Sequence, residues 1–115
     1  MDNAFQSPEQ LAACQCDCRQ LSALSDQEKE SYLTLLPGFV ISSQGYLERS
    51  IKTDDFLSSF ALAQKIVPIA EELGHHPDLT IKYGSLEIVI FTHSIKALSL
   101  ADFVLAARLA VILSL

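Results

Sequence analysis

The chain holds three histidines, His75, His76 and His93, and all of them fall in one short stretch. Imidazole is the side chain that supplies both an acid and a base near neutrality, with an ordinary pKa of about 6.5, so such a cluster suits proton transfer. Glu71 stands four residues before His75 at the end of a helical pattern, where the two can meet on one face. Pro77 restricts His76 to extended geometry, which breaks the helix and lets the adjacent rings point in different directions. Three imidazoles also suit zinc, but neighbouring histidines seldom chelate one ion, so neither a metal nor another cofactor is expected. A Ser-His-Asp arrangement is disfavoured because the chain has no G-x-S-x-G turn.

These residues need a scaffold to bring them together. Leu79, Ile81 and Tyr83 alternate with polar residues, as do Leu86, Ile88 and Ile90 after Gly84-Ser85, which predicts a hairpin with a two-residue turn. That register pairs Tyr83 with Leu86, Ile81 with Ile88 and Leu79 with Ile90 on an apolar face, and Lys82 with Glu87 on the other. Continued backwards, it sets His76 opposite His93, so one cleft can receive all three imidazoles. Tyr83, on the apolar face, is expected in the core.

An earlier hairpin is read from Phe39 to Ile41 and Tyr46 to Ile51 around Ser43-Gln44-Gly45. Ser25-Asp26-Gln27-Glu28 has the spacing of a capping box and opens a short helix that Pro37-Gly38 stops. Thr53-Asp54-Asp55 opens a second helix running to about Leu73, in which Pro68 is expected to cost an i→i−4 hydrogen bond and bend the axis, with Phe56, Phe60, Ala63, Val67 and Ala70 as its buried stripe and Gly74 as a left-handed stop. Ser99 and Asp102 open a third helix, apolar on nearly all sides. The order helix, hairpin, helix, hairpin, helix predicts an α+β, two-layer fold: a four-stranded antiparallel sheet with helices on one face. One sheet covers one side of a helix, so the rest of the last helix, with Arg108 at its rim, is expected to meet its copy in another subunit.

A chain of 115 residues, half of them apolar, makes one domain. Residues 24–115 are expected to form it, and residues 1–23 to be a flexible tail that the fold can lose. The net charge of −6 disfavours nucleic acid and anionic membrane as partners. The first residues lack a continuous apolar run and the C-terminal apolar stretch is too short to span a bilayer, so a cytoplasmic location is expected. Cys14, Cys16 and Cys18 lie too close together to cross-link a domain and read as free thiols in the tail.

The pattern Glu71-x₃-His75-His76-Pro77-x₅-Tyr83-x₉-His93-x₈-Asp102 resembles the signature of the pterin-4a-carbinolamine dehydratase family. Leu36-Pro37-Gly38-Phe39 is similar to the family's Leu-Pro-Gly-Trp, with Phe in place of Trp, and His93-Ser94-Ile95-Lys96-Ala97-Leu98 resembles its bacterial branch, where Gly is common at the position of Ala97. The resemblance implies a hydro-lyase that dehydrates 4a-hydroxytetrahydrobiopterin to the quinonoid dihydropterin, recycling the cofactor of phenylalanine hydroxylase and other aromatic amino-acid hydroxylases. It further implies assembly as a homodimer or homotetramer. His75, His76 and His93 match the family's catalytic histidines, and Glu71, Pro77 and Asp102 match its substrate-binding residues, although capping explains Asp102 equally well. Some members act without catalysis as dimerisation cofactors of a transcription factor, so an interaction module is the alternative reading.

Overall fold

The computed structural model describes residues 5–15 and 21–115; Cys14 is among them, and Cys16 and Cys18 lie outside. The elements are α1 (Pro8–Ala12), α2 (Asp26–Leu33), β1 (Val40–Ile41), β2 (Leu47–Lys52), α3 (Phe56–Leu73), β3 (Asp78–Ile81), β4 (Ser85–Ile90) and α4 (Leu100–Ile112). The strands form one antiparallel sheet in the order β1-β2-β4-β3, which is the expected α+β architecture with one helix added at the front. Leu47, Leu86, Ile88 and Ile90 present the apolar face of the sheet and are fully buried in one core with Ile66, Phe103, Leu105 and Leu109 of the helices.

Local signals place the helix ends. Ser25 accepts from the Glu28 amide while Glu28 accepts from the Ser25 amide, closing the capping box of α2. Asp55 caps α3, accepting from the Ser58 amide at 2.8 Å, and contacts from the Ser58 hydroxyl and then its backbone N–H hold the Asp55 carboxyl below its ordinary range. At the far end Gly74 adopts φ 76°, the left-handed geometry that glycine enters without a Cβ penalty. The helix continues through Pro68, whose side faces solvent, as does Gln64, so the carbonyl that loses its partner can be hydrated. Gly38 is needed because its φ is 95°, a conformation that L side chains rarely adopt; a Cβ there would also stand 2.8 Å from the Arg49 guanidinium carbon, so that side chain would have to move aside. Arg49 crosses this turn to donate to the Pro37 carbonyl at 3.3 Å and lies over the Phe39 ring.

The second hairpin turns at Tyr83-Gly84, with the Lys82 amide donating to the Ser85 carbonyl, so β3 and β4 pair Ile81 with Leu86 and Leu79 with Ile88. The register is displaced by two residues, which preserves the faces but moves Tyr83 out of the core to an exposed tip. Lys82 still reaches Glu87, at 3.4 Å, as a diagonal pair, while Thr80 stands directly opposite Glu87.

The stripe that α3 buries is Ser59, Ala63, Ile66, Ile69 and Ala70. Phe56, Phe60 and Val67 are left 56 %, 43 % and 52 % exposed. Ser59 decides this rotation. Its hydroxyl donates to the Ser85 carbonyl at the start of β4 and bonds Thr53 at 2.5 Å, tying the first turn of α3 to the sheet on that side.

The segment expected as a separate tail packs on the domain. Leu11 of α1 is fully buried, α1 lies along α4, and Phe5 meets Tyr32 edge to face, which in turn meets Phe103. Arg108, expected at a subunit contact, instead donates from Nε to the Ala12 carbonyl at 2.9 Å and from its guanidinium to the Cys14 carbonyl at 3.2 Å. It satisfies the carbonyls at the end of α1 that no helical amide can reach. The face of α4 reserved for another subunit is thus covered from within: Phe103, Val104, Leu105 and Leu109 expose nothing in the single chain, and only Val111 and Ile112 near the end remain open.

Candidate active site

The left-handed turn at Gly74 decides where the first two histidines go. Gly74 and His75 both donate to the Ala70 carbonyl, closing α3, and burial then alternates: His75 buried, His76 exposed, Pro77 half-buried, Asp78 exposed. His75 therefore turns inward, where its Nε2 lies 2.5 Å from Oδ1 of Asp102 in the first turn of α4. Asp102 is fully buried, and its Oδ2 accepts from the Thr92 hydroxyl at 2.8 Å and the Ser99 amide at 2.8 Å. Thr92 and Ser99 also bond each other through their hydroxyls at 2.7 Å. A buried carboxylate is tolerated only when its lone pairs are so filled, and the N-terminal turn of a helix favours its charge. Asp102 is thus a cap and the partner of His75 at once. Among the described residues Nδ1 of His75 has no hydrogen-bond partner, and no buried side-chain polar atom lacks one, so Nδ1 is the ring nitrogen left open.

Glu71, expected beside His75, bonds Nε2 of His76 instead. Helical spacing no longer applies past Gly74, because the left-handed residue redirects the chain and carries the next side chain to the other side. Both members of this pair are more than half exposed.

His93 follows Thr92, whose amide donates to the Ala97 carbonyl at 3.0 Å and closes a tight loop in which Lys96 takes a left-handed φ of 49°. The displaced register does not set His76 opposite His93; the group that reaches His93 is Asp78, its Oδ1 3.7 Å from Nε2. The His93 ring lies against Phe91, with centroids 4.1 Å apart, and Phe91 stacks on Tyr46 at 3.9 Å and 9°. Pro77 lies half-buried between His76 and β3. Thr92, Asp78, Phe91 and Tyr46 were not among the residues expected from the sequence. Thr92 carries a signal that could have found it, being a hydroxyl in line with the inward positions of Leu86, Ile88 and Ile90. Among the described residues no group of three or more His, Cys, Asp or Glu side chains is placed to hold a metal ion.

Fold and site together define a two-layer α+β protein in which each of three imidazoles stands beside its own carboxylate. The chain belongs to the pterin 4 alpha carbinolamine dehydratase family, whose model matches residues 22–112. A relative from Rickettsia bellii, named as a pterin-4-alpha-carbinolamine dehydratase, is 39 % identical over 71 residues, which are 62 % of this chain and 63 % of the relative, so the match spans less than two thirds of that protein's length. One of the same name from Rubrobacter xylanophilus is 35 % identical over 74 % of this chain and 79 % of its own. The crystal structure of a transcriptional coactivator/pterin dehydratase from Brucella melitensis superposes with a TM-score of 0.71 at 26 % identity, covering 79 % of this chain and 98 % of that one.

Proposed function

We propose that this chain is a hydro-lyase that converts a 4a-hydroxytetrahydropterin, 4a-hydroxytetrahydrobiopterin in the simplest case, to the quinonoid dihydropterin by histidine acid–base catalysis. The reaction breaks the C4a–O bond. One proton joins the departing hydroxyl to make water, one leaves the adjacent ring nitrogen, and no electrons are exchanged with another reactant. Two imidazoles in opposite protonation states meet that demand, each positioned one contributing roughly 10²–10⁴-fold. The observation that carries the reading is the set of three imidazole–carboxylate pairs: His75 with Asp102, His76 with Glu71 and His93 with Asp78. His75 is held by a buried partner, while His76 and His93 stand in the open where a substrate can reach them. Glu71, Pro77 and Asp102 then act around the pterin by orienting these rings and shaping the approach to them.

In this role the chain serves tetrahydropterin recycling for an aromatic amino-acid hydroxylase, phenylalanine hydroxylase by family resemblance, in the cytoplasm. Among the described residues no helix is long and apolar enough to cross a membrane. Family resemblance also supports a homodimer or homotetramer. The apolar surface that best fits it is the cluster of Phe56, Leu57, Phe60 and Val67 on α3, larger than single exposed residues explain and separate from the open Val111 and Ile112 of α4.

Stopped-flow ultraviolet measurement of carbinolamine loss tests the reading. Acceleration by this chain, lowered about 10²-fold or more in His76→Ala and in His93→Ala, is the expected result; carbinolamine loss at the uncatalysed rate in the presence of the unmodified chain overturns it. The second reading, an interaction module without catalysis, is favoured by the coactivator name of the Brucella melitensis structure. It requires that the histidine variants leave every function of the chain intact.

A further inference from the structure

β2 and β4 pair Leu47 with Ile90, whose side chains are buried, so the next residues along the two chains, Tyr46 and Phe91, lie side by side and both are half-buried. His93 lies past the end of β4, in the turn closed by the Thr92–Ala97 bridge, and its ring comes back against Phe91. The result is a column of three rings, Tyr46 on Phe91 at 3.9 Å and 9°, and Phe91 on His93 at 4.1 Å and 39°. The backbone beneath is already pinned, because Thr92 is tied through its amide to Ala97 and through its hydroxyl to Ser99 and Asp102. The freedom left to His93 is rotation of its own side chain. Its side chain is 59 % exposed, and the Asp78 carboxylate that faces it stands 3.7 Å away, beyond hydrogen-bonding distance.

We infer that Phe91, backed by Tyr46, is a positioning residue for His93, holding the plane of the imidazole at one angle so that its nitrogens keep a fixed direction toward the reacting pterin. Aromatic faces attract one another beyond simple area burial, and a ring that is itself stacked cannot swing away to release its neighbour. Proton transfer is steeply sensitive to such alignment, a misplacement of about 1 Å costing up to about 10²-fold. Phe91, the ring in contact with His93, carries no group that can exchange a proton, so its effect on the imidazole is on direction alone. The inference rests on the proposed role of His93 in catalysis.

The test compares steady-state carbinolamine dehydration by the full chain with its His93→Ala, Phe91→Leu, Phe91→Tyr and Tyr46→Leu variants, and follows the His93 ring protons by NMR. Phe91→Leu keeps apolar bulk but loses the flat face. It is expected to lower kcat about tenfold with KM within about twofold, and to abolish the upfield ring-current shift of the His93 ring protons. Tyr46→Leu should give a smaller loss of kcat, and Phe91→Tyr should restore both kcat and the upfield shift. If His93→Ala is impaired while Phe91→Leu keeps full kcat, or if the His93 proton shifts do not change in Phe91→Leu, the positioning role is overturned and the catalytic role of His93 stands. If His93→Ala itself keeps full kcat, the catalytic reading of His93 fails first.

Discussion

His75 and Thr92 share one carboxylate: Asp102 holds the first through Oδ1 at 2.5 Å and the second through Oδ2 at 2.8 Å. Because Thr92 immediately precedes His93, the buried group that fixes one imidazole also fixes the backbone that carries another. Asp102→Asn keeps the shape but offers an N–H₂ where an acceptor is needed. It is expected to destabilise the fold by about 1–3 kcal/mol and to lower turnover by at least about tenfold. Thermal melts beside the dehydration assay check this, and a variant with unchanged turnover would show that the shared carboxylate only caps α4.

His76 and His93 are 60 % and 59 % exposed at their side chains and bury no part of the core. His76→Ala and His93→Ala should therefore melt within a degree or two of the parent while turnover falls about 10²-fold or more. A drop in melting temperature matching the drop in turnover would assign them a structural role instead.

Leu11 and Arg108 make the N-terminal segment part of the fold. Leu11→Ala should cost about 2–5 kcal/mol, and deletion of residues 1–20 should lower the melting temperature at least as far, since it uncovers α4. Arg108→Ala should show a smaller loss, because the Ala12 and Cys14 carbonyls can turn to water. Full stability of the deleted protein would return the segment to the dispensable tail that its sequence suggests.

Asp55 gives a pH-dependent contribution whose sign can be stated. Its carboxyl is held below the ordinary range by the Ser58 hydroxyl and amide, so folding favours the charged form. The stabilisation is complete above the unfolded pKa of about 3.9 and fades as pH falls through the lower folded value. Asp55→Ala should melt a few degrees below the parent at neutral pH, and the gap should close as the pH drops below that range. A gap independent of pH would mean that capping by the charged carboxylate is not its source.

Assembly, on the proposed reading, uses α3. Phe60→Asp should shift sedimentation toward the monomer, because an unpaired charge in an apolar contact costs several kcal/mol. Ile112→Asp, at the open end of α4, should leave it unchanged. The reverse pattern would put the contact back on α4.

Much of this arrangement can be read along the chain, since it depends on interactions a few residues long. The Ser25–Glu28 capping box, the Asp55 cap, the Gly74 stop and the alternation in the second hairpin need only neighbours, and they suffice for the α+β class and for the inward turn of one histidine and the outward turn of the next. The hairpin register lay beyond that reach. Turns at Tyr83-Gly84 and Gly84-Ser85 preserve the same inward and outward faces, and pattern alone does not separate two registers that differ by an even step. The facing stripe of α3 was likewise undetermined, because two adjacent stripes share Ala63 and Ala70 and the choice fell to a serine bonded across to the sheet. A five-residue α1 is too short for periodicity to announce it; it forms where Leu11 finds the face of α4 and Arg108 closes its end. The pairing of His75 with Asp102 joins positions 27 residues apart, a proximity created only when α3, β4 and α4 close on one core and leave that carboxylate no partner but the groups around it.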